Sequence, residues 1–333
     1  MPAASTSALK SIIKRRESLQ DTLVADVTGD LEALAENIAR RLAAMLGGTP
    51  DSVFKPDGND GVRVGATTVE RSIAALSDSD AIRAYMAAAS LDELLELVEA
   101  SGLDIPRGRM REAVGAMTTA SARAIEALGV DVAGVLNSEG VTTAVGDFLD
   151  RVIDEDLFRM MGLSTATRIR QTLLWIPSMQ DADALARAFG DAELASVNGG
   201  ARQAQIATHV AMADRTTQEA VRREIDPDGE DFLIAYMGPL DGLTRPFCRH
   251  MLGDGREAAG LAFKPTVFAR ADNAQGLPPI VAAGGYRCRH NITPVVDDDE
   301  FLAALGLGRG AESDVAAANE SARSSRKGKG RKR

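Results

Sequence analysis

A chain of 333 residues, 45% hydrophobic and 26% charged, can bury a sizeable core divided over two or more domains. Aromatics are only 4% of it, so the core must come from Ala, Leu, Val, Ile and Met, which suits packed helices better than a large sandwich. The net charge of −10, two cysteines and the lack of an apolar run approaching about 18 residues argue against a disulfide framework and a membrane span.

Met1 to Arg16 has no apolar core ahead of its Lys and Arg residues and does not read as a secretory signal. Residues 1–20 are polar and read as a flexible N-terminus. From Asp30 to Met45 a helical stripe appears, with Leu31, Leu34, Ile38, Leu42 and Met45 recurring at three- and four-residue spacing. Gly47, Gly48 and Pro50 end it. Residues 51–69 are rich in turn formers, with β-prone flanks from Val62 to Val69.

Ser90-Leu91-Asp92-Glu93 is a capping box ahead of Leu94, Leu95, Leu97 and Val98. Helical patterns then cover Arg109–Leu128, Thr142–Met161, Thr165–Leu174, Asp181–Phe189 and Leu194–Ile225. Trp175 reads as a core residue ending a helix, and His209 as a helix histidine without a ligand role. Asp226-Pro227-Asp228-Gly229 closes the last helix as a turn.

The character changes at Asp231. Asp231–Met237 (DFLIAYM), Phe263–Arg270 and Cys288–Val296 read as strands, with Gly and Pro frequent between them. Asp297–Glu300 is a solvated acidic run before a short helix, Phe301–Leu307. Beyond it the composition predicts disorder. The expected fold is therefore predominantly helical α+β. It has a helical body over 21–230, a small α+β module over 231–300, and a short helix with a disordered basic tail over 301–333.

That tail holds Arg323, Arg326, Lys327, Lys329, Arg331, Lys332 and Arg333 with no acid, and taking those seven charges from −10 leaves −17 on residues 1–320. A cationic segment on an acidic body points to contact with a polyanion, the alternative being a solubilising tail with no partner. Counterion release gives such contact affinity without sequence readout.

Both cysteines and two of the three histidines fall in two echoes, Phe247-Cys248-Arg249-His250 and Tyr286-Arg287-Cys288-Arg289-His290. On a strand, Cys-x-His would present both side chains on one face; on a helix it would split them. Cys248, His250, Cys288 and His290 could together complete a tetrahedral zinc site, although the one-residue gap is tighter than the usual spacing. A disulfide, or plain packing of two small buried thiols, explains the same pair. Gly284-Gly285 permits a tight turn that lays the second echo beside an earlier strand. Asp241, Thr244 and Pro246 read as turn and helix-cap chemistry ahead of Cys248.

These residues also carry a family likeness. A helix over Gln203–Arg223 is followed by a strand, Asp241-x-x-Thr244-Arg245-x-x-Cys248, and Leu252-Gly253. Leu277-Pro278-Pro279 and Gly285-Tyr286-Arg287-Cys288-Arg289 come next. This ordered set resembles the C-terminal half of phage Mu F-like minor head proteins, also called phage head morphogenesis proteins, over about residues 200–297. The chain departs from the family where Gly284-Gly285-Tyr286 stands in place of the His and Pro that commonly precede its Cys-Arg.

The resemblance implies a non-enzymatic virion component in the capsid interior or near the portal. Such a protein acts in head assembly and DNA packaging or delivery. It is made in the host cytoplasm, with portal or major capsid protein and packaged DNA as partners, no membrane, and oligomers allowed. It implies no catalytic residues and no cofactor, zinc at the Cys/His cluster being the one candidate. Two alternatives stay open: a metal-dependent nuclease or other hydrolase using that cluster, and a nucleic-acid-binding protein acting through its tail.

Overall fold

The computed structural model describes residues 6–48, 67–76, 79–175, 181–238, 240–242, 244–254, 260–272, 281, 283–284, 288 and 290–329. Helix α1 spans Thr6–Met45. It starts within the stretch expected to be loose, because Leu9 gains a fully buried position that outweighs the polar composition around it. Three helices follow: α2 (Thr68–Ile73), α3 (Ser79–Ala88) and α4 (Leu91–Val98). The Ser90/Glu93 capping box forms as the sequence predicts. A second one, Thr67/Glu70, makes α2 helical where β-prone flanks were expected.

A wide π-type turn, Glu99–Leu103, leads into α5 (Asp104–Glu126). Helix α6 (Glu139–Asp147) continues through a second wide stretch, Phe148–Arg159, into α7 (Met160–Trp175). Helices α8 (Ala182–Asn198) and α9 (Ala201–Ile225) complete the series. The break between them falls at Gly199-Gly200 and not after Phe189, because Gly200 takes φ +77°, a left-handed conformation that suits glycine.

The sheet then assembles from β1 (Phe232–Met237), β2 (Gly260–Phe263), β3 (Asn291–Val296) and β4 (Leu307–Arg309), in the order β3-β1-β2-β4. Strand β1 pairs antiparallel with both β2 and β3, while β2 and β4 run parallel. The strand expected over Phe263–Arg270 ends at Phe263, because Pro265 opens a single helical turn, α11 (Pro265–Phe268), after α10 (Pro246–Leu252). Helix α12 (Asp299–Leu305) precedes β4, and α13 runs over Glu312–Lys329. The tail is thus helical through Lys329 rather than disordered from about residue 308. Burial of Val315 and Ala318 anchors this helix, a tertiary term that composition does not carry.

Two compact units are drawn from interleaved segments. One lies within Met1–Thr22, Ala113–Leu149 and Ala207–Arg333; the other lies within Leu23–Glu112 and Asp150–Ile206. Residue 230 marks where strands begin, while the units divide the chain elsewhere.

In the first unit the sheet has a core on each face. Ile234, Tyr236, Leu261, Phe263 and Ile292 share one face with Phe247, Cys248, Met251 and Leu252 of α10 and with Val315 and Ala318 of α13. Leu233, Ala235, Ala262 and Val295 share the other with Leu9, Ala124, Phe301, Leu302 and Leu305. The alternation follows the strand period of two, and the register keeps it: Tyr236 faces Ile292 and Leu261, and Leu233 faces Val295. In the same unit Asp214 of α9 holds a buried ion pair with Arg16 and accepts the Ser121 hydroxyl at 2.6 Å.

The second unit buries Leu31, Leu34, Ile38 and Leu42 of α1, and it also buries Leu94, Leu97 and Phe189. Its buried charges are paired. Glu193 bonds Arg168 and Arg202 and accepts the Thr165 hydroxyl at 2.8 Å. Among the described residues no helix is long and apolar enough to cross a membrane.

Candidate metal centre

Strand β1, helix α10 and the approach to β3 bring three potential ligands together. Cys248 and Cys288 Sγ and a ring nitrogen of His290 all lie within 4.8 Å of one another. Cys248 sits in the first helical turn, two residues after Pro246, and its neighbours Phe247, Met251 and Leu252 pull that face under the sheet. Helix α10 ends at Gly253, whose φ of +78° makes a left-handed cap. That is the structural reason for a Leu-Gly pair at this point.

The segment before α10 is braced by its own polar groups. The Asp241 N–H donates to Thr244 Oγ1 at 2.9 Å and the Thr244 hydroxyl donates to Asp241 Oδ1 at 3.1 Å. Arg249 donates to the Asp241 carbonyl at 2.7 Å and the Thr244 carbonyl at 3.2 Å. Arg245 reaches across to the Gly284 carbonyl at 2.6 Å. From the other side, buried Arg215 of α9 donates to the carbonyls of Val281 (3.2 Å), His290 (2.8 Å) and Cys288 (3.4 Å). These two arginines fix the backbone on which Cys288 and His290 stand.

Tyr236 reaches both sulfurs through its hydroxyl. Its hydroxyl donates to Cys248 Sγ at 3.2 Å and lies 3.5 Å from Cys288 Sγ, while its ring stacks on His290 with centroids 5.2 Å apart. Cys288 Sγ also accepts the Gly284 N–H at 3.3 Å and lies 3.4 Å from His290 Nδ1. Both cysteines are free thiols.

The two thiols are shifted in opposite directions. The hydrogen bond to Cys288, then burial, pushes Cys248 above the usual thiol range. The same hydrogen bond pulls Cys288 well below it against the cost of burial, helped by His290 and by the charge of Arg215. Burial first, and the two sulfurs after it, keep the Tyr236 phenol protonated well above its ordinary value.

The structure joins one pair of echo residues and separates the other. Cys288 and His290 precede β3 and meet, but Cys248 and His250 lie on a helix, where positions two apart diverge. His250 instead lines an open groove of roughly 420 Å³ with Pro246, Ala317, Glu320, Ser321 and Ser324. The four-ligand set is thereby corrected to Cys248, Cys288 and His290.

Gly285, Tyr286 and Arg289 of the motif lie outside the described residues, as do Arg331, Lys332 and Arg333 of the tail and the Leu277-Pro278-Pro279 loop. Arg323 stands on α13 with Asp272 at 3.9 Å, and Arg326, Lys327 and Lys329 occupy the last turns of that helix. His209 lies within α9, as expected of a helix histidine.

Sequence reasoning missed Tyr236 and Arg215. Tyr236 follows strand periodicity like any core residue, and Arg215 is one of several arginines in α9. Neither lies near the echoes in sequence, so no local signal marks them. In comparisons with family models, curated proteins and solved structures, nothing matches this chain.

Proposed function

We propose that this protein is a non-enzymatic structural component of a phage head, placed in the capsid interior or near the portal and acting in head assembly. The observation that carries the reading is the use to which the family-like motif is put. Over 48 positions of sequence, Asp241 bonds Thr244, Arg245 bonds the Gly284 carbonyl, Gly253 caps the helix that carries Cys248, and Cys248 meets Cys288. Their hydrogen-bonding groups are spent on backbone and on each other, as an architectural motif requires. A hydrolase would present such groups to a cleft.

Cys248 and Tyr236 are buried under the sheet, which suits a staple better than a site that must admit a polymer. The charge layout supports a place beside packaged DNA. The net negative charge outside residues 321–333 keeps most of the protein off the duplex, while Arg323, Arg326, Lys327 and Lys329 gather at the C-terminal end of α13. Portal or major capsid protein and DNA are the proposed partners.

Purified particles, washed at high salt and probed with an antibody to this chain, test the reading. It predicts a low-copy band that survives the wash and nuclease treatment. Its absence from particles, with the chain abundant in the lysate, would overturn it.

A further inference from the structure

We propose that Cys248, Cys288 and His290 hold a single zinc ion that staples helix α10 to the approach of strand β3. Two thiolates and an imidazole form the donor set zinc favours, and softness argues against magnesium or calcium at this site. Zinc–sulfur bonds of about 2.3 Å and zinc–nitrogen bonds near 2.0 Å place tetrahedral donors roughly 3.4–3.8 Å apart. The three donor atoms lie within 4.8 Å of one another, and Cys288 Sγ and His290 Nδ1 are 3.4 Å apart, so small side-chain rotations close the shell.

The surroundings are built for close approach. A Cβ on Gly284 would stand 2.2 Å from Cys248 Sγ and 3.1 Å from Cys288 Sγ, and a Cβ on Gly238 would stand 2.7 Å from His290 Cδ2. Bare backbone at both places lets the ligands come together.

Outer partners then orient them. The Gly284 N–H and the Tyr236 hydroxyl point at sulfur, the Tyr236 ring sets the plane of His290, and Arg215 pins the carbonyls of Cys288 and His290. Charge balances as well. Binding releases the protons still held by the thiols to solvent, and two thiolates around a divalent ion leave a neutral buried centre. Three protein ligands leave one coordination position for solvent or a further donor.

The test uses the full chain, reduced and refolded with zinc or cobalt(II), then passed over a desalting column. Elemental analysis should find about one zinc per chain. Cobalt exchanged into the unsubstituted protein should show thiolate-to-cobalt charge transfer, a readout that no folding defect of a variant can confuse. Cys288→Ser and His290→Ala should lose the metal, while His250→Ala should keep it. Tyr236→Phe should weaken zinc at least about 10-fold in competition with a chelating dye.

A chain that takes up no zinc, or cobalt without charge transfer, overturns the site. So does a metal-free protein lighter by two hydrogens, which would mean a disulfide, and so does loss of zinc in His250→Ala. The site does not rest on the virion reading. A zinc-free chain found in particles would end the first and leave the second, and a zinc-loaded chain absent from particles would do the reverse.

Discussion

Replacing Gly284 by Ala is the sharpest test of how tightly the thiol pocket is closed. The added methyl would lie 2.2 Å from Cys248 Sγ, 3.1 Å from Cys288 Sγ and 3.1 Å from Tyr236 Oη. Ordinary contact is near 3.5–4.0 Å, so the sulfur would have to retreat by more than about 1 Å. It has nowhere to go, because Cys248 is 1% exposed and Tyr236 is fully buried.

Gly284 has no positive φ, so the penalty is overpacking alone, about 3 kcal/mol. In a cooperative unit of 150–250 residues each kcal/mol lowers the midpoint by ~2–4 °C, which predicts a drop of about 6–12 °C. Thermal unfolding followed by near-ultraviolet dichroism reads it. Gly242→Ala is the control, since nothing lies within 4 Å of its added methyl. Equal midpoints for wild type and Gly284→Ala would refute the packing described here.

Three further outcomes follow from the same geometry. Arg215→Met leaves the carbonyls of Val281, Cys288 and His290 without their shared donor and should cost about 3 kcal/mol in urea unfolding; a change under ~1 kcal/mol would contradict the bracing role. Glu193→Ala strands buried Arg202 and should cost about 3–5 kcal/mol, whereas Glu193→Leu combined with Arg202→Met should cost less than that single change; the opposite order would refute the account of this pair.

The Glu70 carboxyl, which burial alone would raise, is held below its ordinary value by the Arg41 hydrogen bond and by the Thr67 backbone and hydroxyl. A depressed folded value means its stabilisation is complete above the unfolded value near ~4.3 and is lost as pH falls through the folded one. Wild type should therefore out-melt Glu70→Gln at pH 7 and converge with it near pH 3; a gap that stays constant would dismiss the ionised capping box.

Much of this was legible because it is local. The strand DFLIAYM, the Ser90 capping box and the turn chemistry before Cys248 each act within a few residues, and each formed as read. The meeting of Cys248 with Cys288 was also legible, since both cysteines stood in matching echoes. What escaped depends on partners far away in sequence. Leu9 gains its place in α1 from the far face of the sheet, and Val315 orders α13 by burial that polarity conceals. His250 was misplaced for a simpler reason: Pro246 starts a helix where the Cys-x-His spacing needed a strand.

The first unit ties its earliest turns to its latest ones. Leu9 packs with Phe301, Leu302 and Leu305, Lys10 donates to the Ala304 carbonyl, and Asn291 donates to Glu17. At a synthesis rate of about 5–20 residues per second, the first turns of α1 leave the ribosome roughly 15–60 s before those neighbours exist. Throughout that interval an apolar stripe waits uncovered. Emergence of residues 291–305, more than the intrinsic speed of any helix, sets when this unit can close, and a nascent-chain chaperone would find its target in the first turns of α1.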